Sequence, residues 1–242
     1  MTIAFIRGLW GDLLPNDSNS VLRRRSQLHS NITKEASSMV SYMTYVFGTE
    51  NKLYLDRLQI KNKLLSSASS EWDVATQCYR HKIEIIRRAL DDYSSVIWLD
   101  WDCSPTQYMP ENFYDKISKG SGLKACLQRY SQRMCPWRPS GAKRILPNGG
   151  FIYVANKGIG DRLIECWEET GKHCNDEVAL AKLTDRMNVK DFDNELVVRR
   201  YHGSWGGIDN YIRYFEPYCV SLENRRAICP ESFEKQILFR HI

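Results

Sequence analysis

The sequence has no long apolar run: stretches such as Val96-Ile97-Trp98-Leu99 fall far short of the roughly 20 residues needed to cross a bilayer. No membrane span is expected. Met1 to Arg7 starts apolar, but no basic region precedes it and no small-residue cleavage site closes it, so it reads as a first core strand. None of the eight cysteines forms a Cys-x-x-Cys pair, and the histidines are not spaced to complete a zinc site, which argues against structural zinc. Without a visible export signal the thiols are expected to be free in a reducing cytoplasm. There is no P-loop, no G-x-G-x-x-G and no nucleophile elbow, so kinase, dehydrogenase and hydrolase readings fall away. Repeats and low-complexity segments are also missing, which leaves a chain of alternating elements.

What is present suits a globular chain. With 242 residues, 43% of them apolar and 26% charged, there is material for one sizeable core and little reason to expect disorder. A single domain is expected over residues 1–242, with a ligand-binding half to about residue 103 and an acceptor half after it. The formal charge of +5 is too mild to name a partner, but its distribution is uneven. Between Lys116 and Gly160 there is no Asp or Glu and there are nine Lys or Arg, which points either to an anionic partner or to a basic face balanced by acids elsewhere.

Residues 2–7 are expected to form a strand ending at Gly8. A helix is expected between about Gln27 and Tyr45, followed by strand-like content at Tyr45-Val46-Phe47 and Leu53-Tyr54-Leu55. From Ser70 to Tyr93, capping residues and three-to-four spacing of Val74, Cys78, Ile85, Ile86, Ala89 and Leu90 predict an amphipathic helix. The run Val96 to Leu99 then has the character of a parallel strand buried on both faces. Helix followed by buried strand predicts an α/β fold with a mostly parallel central sheet flanked by helices. Further on, Gly149-Gly150-Phe151-Ile152-Tyr153-Val154 reads as a strand opened by glycines. Helices are expected from about Ile159 to Gly171 and from Asp176 onward.

Asp100-Trp101-Asp102 follows the buried run directly, at the carboxyl end of a strand, where open α/β sheets bind their ligands. In extended backbone, residues two apart point the same way, so both acids can reach one hard cation that in turn bridges a diphosphate. The competing reading is a loop with two solvated acids.

The stretch Lys82-Ile83-Glu84-Ile85-Ile86-Arg87-Arg88-Ala89-Leu90, with Tyr93 and Val96 to Asp102, resembles the helix, strand and D-x-D signature of glycosyltransferases of the GT-A fold. The resemblance continues in order through Asn148-Gly149-Gly150-Phe151-Ile152-Tyr153, similar to the glycine-led strand beside the acceptor. It ends at Asn175-Asp176-Glu177-Val178-Ala179-Leu180, similar to the acidic helix start that follows. It spans about residues 80 to 185. It implies a Rossmann-like GT-A domain that moves a sugar from a nucleotide diphosphate, UDP above all, with Mn²⁺ or Mg²⁺ held by Asp100 and Asp102. Asp176 and Glu177 are the implied catalytic acids, with retention of configuration preferred. His202, in Tyr201-His202-Gly203, resembles the late histidine that completes the metal site, although the basic residue and proline that usually follow it are missing. Arg7 and Gly8 at the end of the first strand, Lys82 or Arg80 on the helix, and Trp101 within the signature are the implied contacts to the nucleotide.

The acceptor is less defined. Arg129, Arg133 and Arg138, with Asn148, Gly149 and Gly150, are the candidate acceptor-binding residues. Tyr130, Trp137 and Phe151 interleave with the cations, so an anionic polymer such as DNA with hydroxymethylated bases, as modified by phage enzymes, is one candidate. A cell-surface saccharide or a lipid-linked sugar at a peripheral membrane face is another. A nucleotidyltransferase also uses a strand-end acid pair, but the lysine of its usual glycine-rich loop is missing after Gly8. A non-catalytic nucleic-acid-binding protein would leave Asp100 and Asp102 without a role.

Overall fold

The computed structural model describes residues 2–10, 42–66, 74–101, 103–105, 112–129, 145–170, 176–189, 198–200, 221–223, 226–228 and 239–241. Its centre is a six-stranded sheet in the spatial order β3-β2-β1-β4-β7-β6, formed by β1 (Ile3–Leu9), β2 (Tyr42–Phe47), β3 (Asn62–Leu65), β4 (Ser95–Leu99), β6 (Leu123–Arg129) and β7 (Ile145–Val154). The first four strands run parallel to one another. β7 is antiparallel to both β4 and β6, so the sheet is mixed and mostly parallel.

The helices are α1 (Thr49–Arg57), α2 (Val74–Asp92), α3 (Phe113–Ile117), α4 (Lys157–Thr170) and α5 (Asp176–Arg186). Apolar residues on α2, α4 and α5 recur on one face of each helix, and all three faces bury against one side of the sheet. Ile83, Ile86, Leu90, Leu163, Trp167, Leu180 and Leu183 pack there on Ile6, Val96, Trp98, Ile152 and Val154. The side chain of Asn156 accepts the Ile159 N–H at 3.1 Å and so starts α4 as an N-cap. On the other side of the sheet, Phe5, Ile97, Leu99, Phe151 and Tyr153 are covered by Phe113 and Ile117 of α3. β1, β4 and β7 thus alternate between two buried faces, which explains why the β4 sequence is apolar without a break.

Two sequence-based expectations fail in the first part of the chain. The strand expected at Tyr45 to Phe47 is present but begins at Tyr42, where the tail of the expected helix would run, the rest of that helix lying outside the described residues, and Leu53 to Leu55, expected as strand, lies within α1. Apolar and aromatic content marked Leu53 to Leu55 as extended, but Leu55 buries with Leu9 and Val46 as part of a helix packed on the sheet. β3, with the sequence Asn62-Lys63-Leu64-Leu65, carries no alternation and was not expected; it is the edge of the sheet and pairs only with β2.

The rest of the described chain forms two small sheets. β11 (Phe239–His241) pairs antiparallel with β5 (Cys103–Pro105) and parallel with β8 (Val198–Arg200). β9 (Ser221–Glu223) pairs with β10 (Arg226–Ile228). The chain end therefore returns to the segment just after Asp102. Among the described residues no helix is long and apolar enough to cross a membrane.

Candidate active site

Asp100 follows the last residue of β4, and its backbone N–H donates to the Gly150 carbonyl at 3.0 Å, which extends the β4–β7 pairing to the acid. β7 bulges at this point. The register passes from Ala125 opposite Ile152 to Cys126 opposite Asn148, a shift along β7 between neighbouring residues of β6, and such a bulge redirects backbone toward a site. The Gly149 carbonyl then accepts from Lys82 Nζ at 3.1 Å.

Lys82 is the centre of the arrangement. Its Nζ lies 2.8 Å from Asp176 Oδ2 and 2.9 Å from Asp100 Oδ1, and donates to Asp100 Oδ2 at 3.2 Å. The helix α2 brings Lys82 to the sheet, β4 delivers Asp100, and the first residue of α5 is Asp176. Burial disfavours the Lys82 ammonium, but the Asp100 and Asp176 carboxylates outweigh it and hold its pKa above the ordinary lysine value. The side chains of Lys82 and Asp176 are 9% and 4% exposed while that of Asp100 is 29% exposed, so the accessible part of the cluster is a carboxylate. Two acids against one base leave a net charge of −1.

Gly149 is required by close approach. A Cβ at this position would overlap Asp176 Oδ2 and stand 3.0 Å from Lys82 Nζ, so any side chain would displace the ion pair. Gly8 serves a similar purpose, because a Cβ there would lie 2.6 Å from Ile85 Cδ1 and 2.8 Å from Trp98 Cη2.

The nucleotide contacts inferred from the sequence take different positions. Arg7 is fully buried, with its guanidinium 4.2 Å from the Tyr42 ring centroid and 5.0 Å from that of Trp101. Its guanidinium is thus held against two aromatic rings, one of them in the turn after β4. The Trp101 indole donates to the Gly8 carbonyl at 2.7 Å, tying that turn to the end of β1. Arg80 pairs with Glu168 of α4 at 3.2 Å and with Glu84 at 3.9 Å. Lys82 faces the two acids already described.

Asp176 and Glu177 both fall in the first turn of α5, where acids favour the helix dipole. Successive helical residues are about 100° apart, and it is Asp176 that joins Lys82. Asp102, His202, Arg133 and Arg138 lie outside the described residues, and for Arg129 and Asn148 the backbone is placed in β6 and β7 respectively. Of the nine cations in the acid-free segment, Lys124 is buried and Lys157 pairs with Asp91 at 2.6 Å. Burial removes the first from an open basic face, and Asp91 offsets the charge of the second.

One neighbour of the acids went unnoticed in the sequence. The Trp98 indole donates to Asp100 Oδ1 at 2.8 Å. The same two-residue spacing that was applied to Asp100 and Asp102 places Trp98 and Asp100 on one face of β4, so the signal was available.

A carboxylate oxygen at a strand end is a suitable ligand for a hard divalent ion, and a carboxylate offers about four lone-pair sites. At Asp100, Oδ1 faces Trp98 and Lys82, whereas among the described residues Oδ2 meets Lys82 alone, at 3.2 Å, in a side chain that is partly exposed. Among the described residues no group of three His, Cys, Asp or Glu side chains gathers to enclose an ion. Asp100 thus fits a metal as one open ligand.

No family model matches the sequence, and no curated protein is detectably similar to it. The structure, however, aligns with that of mouse xyloside xylosyltransferase 1 at a TM-score of 0.55 and 11% identity, over 99% of this chain and 97% of the other. The fold is that of a GT-A glycosyltransferase. A glycosyltransferase involved in the glycosylation of the major capsid of PBCV-1 aligns at a TM-score of 0.46 and 12% identity, over 100% and 93% of the two chains. The likeness to the mouse enzyme is global, with both chains covered almost end to end. In this GT-A fold the Lys82 cluster occupies the carboxyl end of β4, beside the edge where parallel order gives way to antiparallel β7.

Proposed function

We propose that this protein is a glycosyltransferase that moves a sugar from a nucleotide diphosphate, preferentially a UDP-sugar, to a hydroxyl acceptor. The observation that carries the reading is the cluster of Asp100, Lys82 and Asp176 at the carboxyl end of β4, closed by the Gly149 backbone. In the reaction the bond from the anomeric carbon to the diphosphate oxygen breaks, the acceptor oxygen bonds to that carbon, and the acceptor proton passes to the departing diphosphate oxygen. Positive charge develops on the sugar as the diphosphate departs, and a fixed net negative cluster stabilises it without reorganising. Asp100 is the partly exposed member and orients the donor, while the buried Asp176 contributes charge and Lys82 keeps both acids in place.

Asp100 and Asp102, with His202, would hold Mn²⁺ or Mg²⁺. When bound, such an ion supplies Lewis-acid stabilisation of the leaving diphosphate. Retention of anomeric configuration fits the same geometry. An inverting enzyme needs a carboxylate free to take the acceptor proton, and Asp176 is committed to a buried ammonium 2.8 Å away.

The acceptor we favour is a saccharide hydroxyl. A DNA acceptor would rest on Arg129, Arg133 and Arg138, and burial of Lys124 with pairing of Lys157 takes two cations from the face it would need. Incubation with a panel of nucleotide sugars, Mn²⁺ and mixed oligosaccharides, read by mass spectrometry, tests the reading. The expected result is one donor consumed with a mass gain of one sugar residue on an acceptor. Transfer to DNA alone would replace the acceptor, and nucleotidyl transfer from a triphosphate would replace the reaction class.

A further inference from the structure

Asp100 has one ammonium partner and one neutral partner, and the neutral one is Trp98. The indole Nε1 donates to Oδ1 at 2.8 Å, and the ring itself is 2% exposed. Packing leaves the ring little freedom: Trp10 lies 6.1 Å away centroid to centroid, Gly8 makes room beneath the Cη2 edge, and Lys82 Nζ stands 5.5 Å from the ring centroid. The donor is therefore rigid. A donor of this kind orients a carboxylate without cancelling its charge, which a second lysine would do.

We propose that Trp98 is a positioning residue that turns Asp100 Oδ1 inward and leaves Oδ2 as the oxygen offered to the ligand. The functional half of the inference rests on the glycosyltransferase reading, whereas the orientation of the carboxylate does not. Phenylalanine in place of Trp98 retains an aromatic ring but has no N–H. A hydrogen bond to a charged group is among the stronger ones, so the loss is expected to be large relative to the change in shape.

The test combines two measurements. In ¹⁵N-labelled full-length protein, the Trp98 indole resonance should move and lose exchange protection in Asp100→Asn, because the amide accepts less strongly than the carboxylate. In turnover, Trp98→Phe should raise the KM for the donor roughly tenfold. The double variant Trp98→Phe with Asp100→Asn should be no worse than Asp100→Asn alone, since both changes remove one function. Unchanged indole behaviour in Asp100→Asn would overturn the orientation. Additive losses in the double variant would overturn the positioning role, because a Trp98 that serves only the core acts independently of Asp100. If the indole responds but no nucleotide sugar is consumed by the parent, the glycosyltransferase reading fails and the Trp98–Asp100 assignment stands. Should Trp98→Phe not fold, the indole measurement on Asp100→Asn decides the orientation alone.

Discussion

Lys82 Nζ lies 2.8 Å from Asp176 Oδ2, so α2, the helix before the central strand β4, is joined to the first residue of α5 by a buried ion pair. Asp100 shares the same ammonium. Removing the lysine leaves two acids at the centre of the fold without compensation. Lys82→Met is therefore expected to destabilise the protein by about 3–5 kcal/mol. Adding Asp176→Asn should restore part of it. Urea unfolding of the two variants measures the difference, and a single variant as stable as the parent would show that the pair is absent in solution.

Gly149→Ala isolates the geometry of the same pair. The added methyl would overlap Asp176 Oδ2, so the variant must shift α5 or break the contact with Lys82. Donor turnover should fall by at least tenfold while far-ultraviolet circular dichroism stays that of the parent. Normal turnover in Gly149→Ala would mean that the cluster tolerates displacement and is not the reacting centre.

Asp176 and Glu177 separate by charge and position. Asp176→Asn should slow transfer by roughly a hundredfold with little change in donor KM, since the acid acts on developing charge. Glu177→Gln, one helical position away, should slow it far less. Equal losses in both variants would return the motif to a helix start whose two acids act together on the dipole.

Much of this arrangement was readable before the fold was known, because strong periodicity and a strand-end position mark α2, β4 and Asp100 without help from tertiary contacts. Asp176 was legible only through the resemblance to GT-A glycosyltransferases, since an acid at a helix start is by itself no more than a favourable cap. The role of Lys82 was not. A lysine on an amphipathic helix carries no sign of the acid it will meet, and only the packing of α2 against β4 and α5 decides between a nucleotide contact and an ion pair. The surroundings of Arg7 were hidden for the same reason: nothing in the sequence shows that a cation at a strand end is buried against the rings of Tyr42 and Trp101. β3 was missed because an edge strand of four residues with no buried alternation has too little pattern to register.

His81 supplies a pH dependence away from the acids. Its ring lies 4.5 Å from that of Phe47 and 5.9 Å from that of Trp10. Burial lowers its pKa below the ordinary value, with Glu84 opposing and Arg80 adding to the shift. The unfolded chain thus takes up this proton more readily than the folded one. Stability is fully present above about pH 6.5 and is lost as the pH falls from there through the folded value. Thermal unfolding between pH 7.5 and 5.5 should show a falling midpoint in the parent and a flatter profile in His81→Phe. The same slope in both proteins would assign the effect to another group.

The most direct test of the account is the rate at which nucleotide diphosphate is released from the preferred donor in Mn²⁺, compared between the parent and Asp100→Asn. Asp100 is the exposed acid of the cluster, so its substitution removes charge from the ligand side while Lys82 and Asp176 remain paired. Release by the parent should be abolished by a chelator, and Asp100→Asn should lose roughly a hundredfold with the folded state retained. Release by Asp100→Asn at the parental rate would contradict the account.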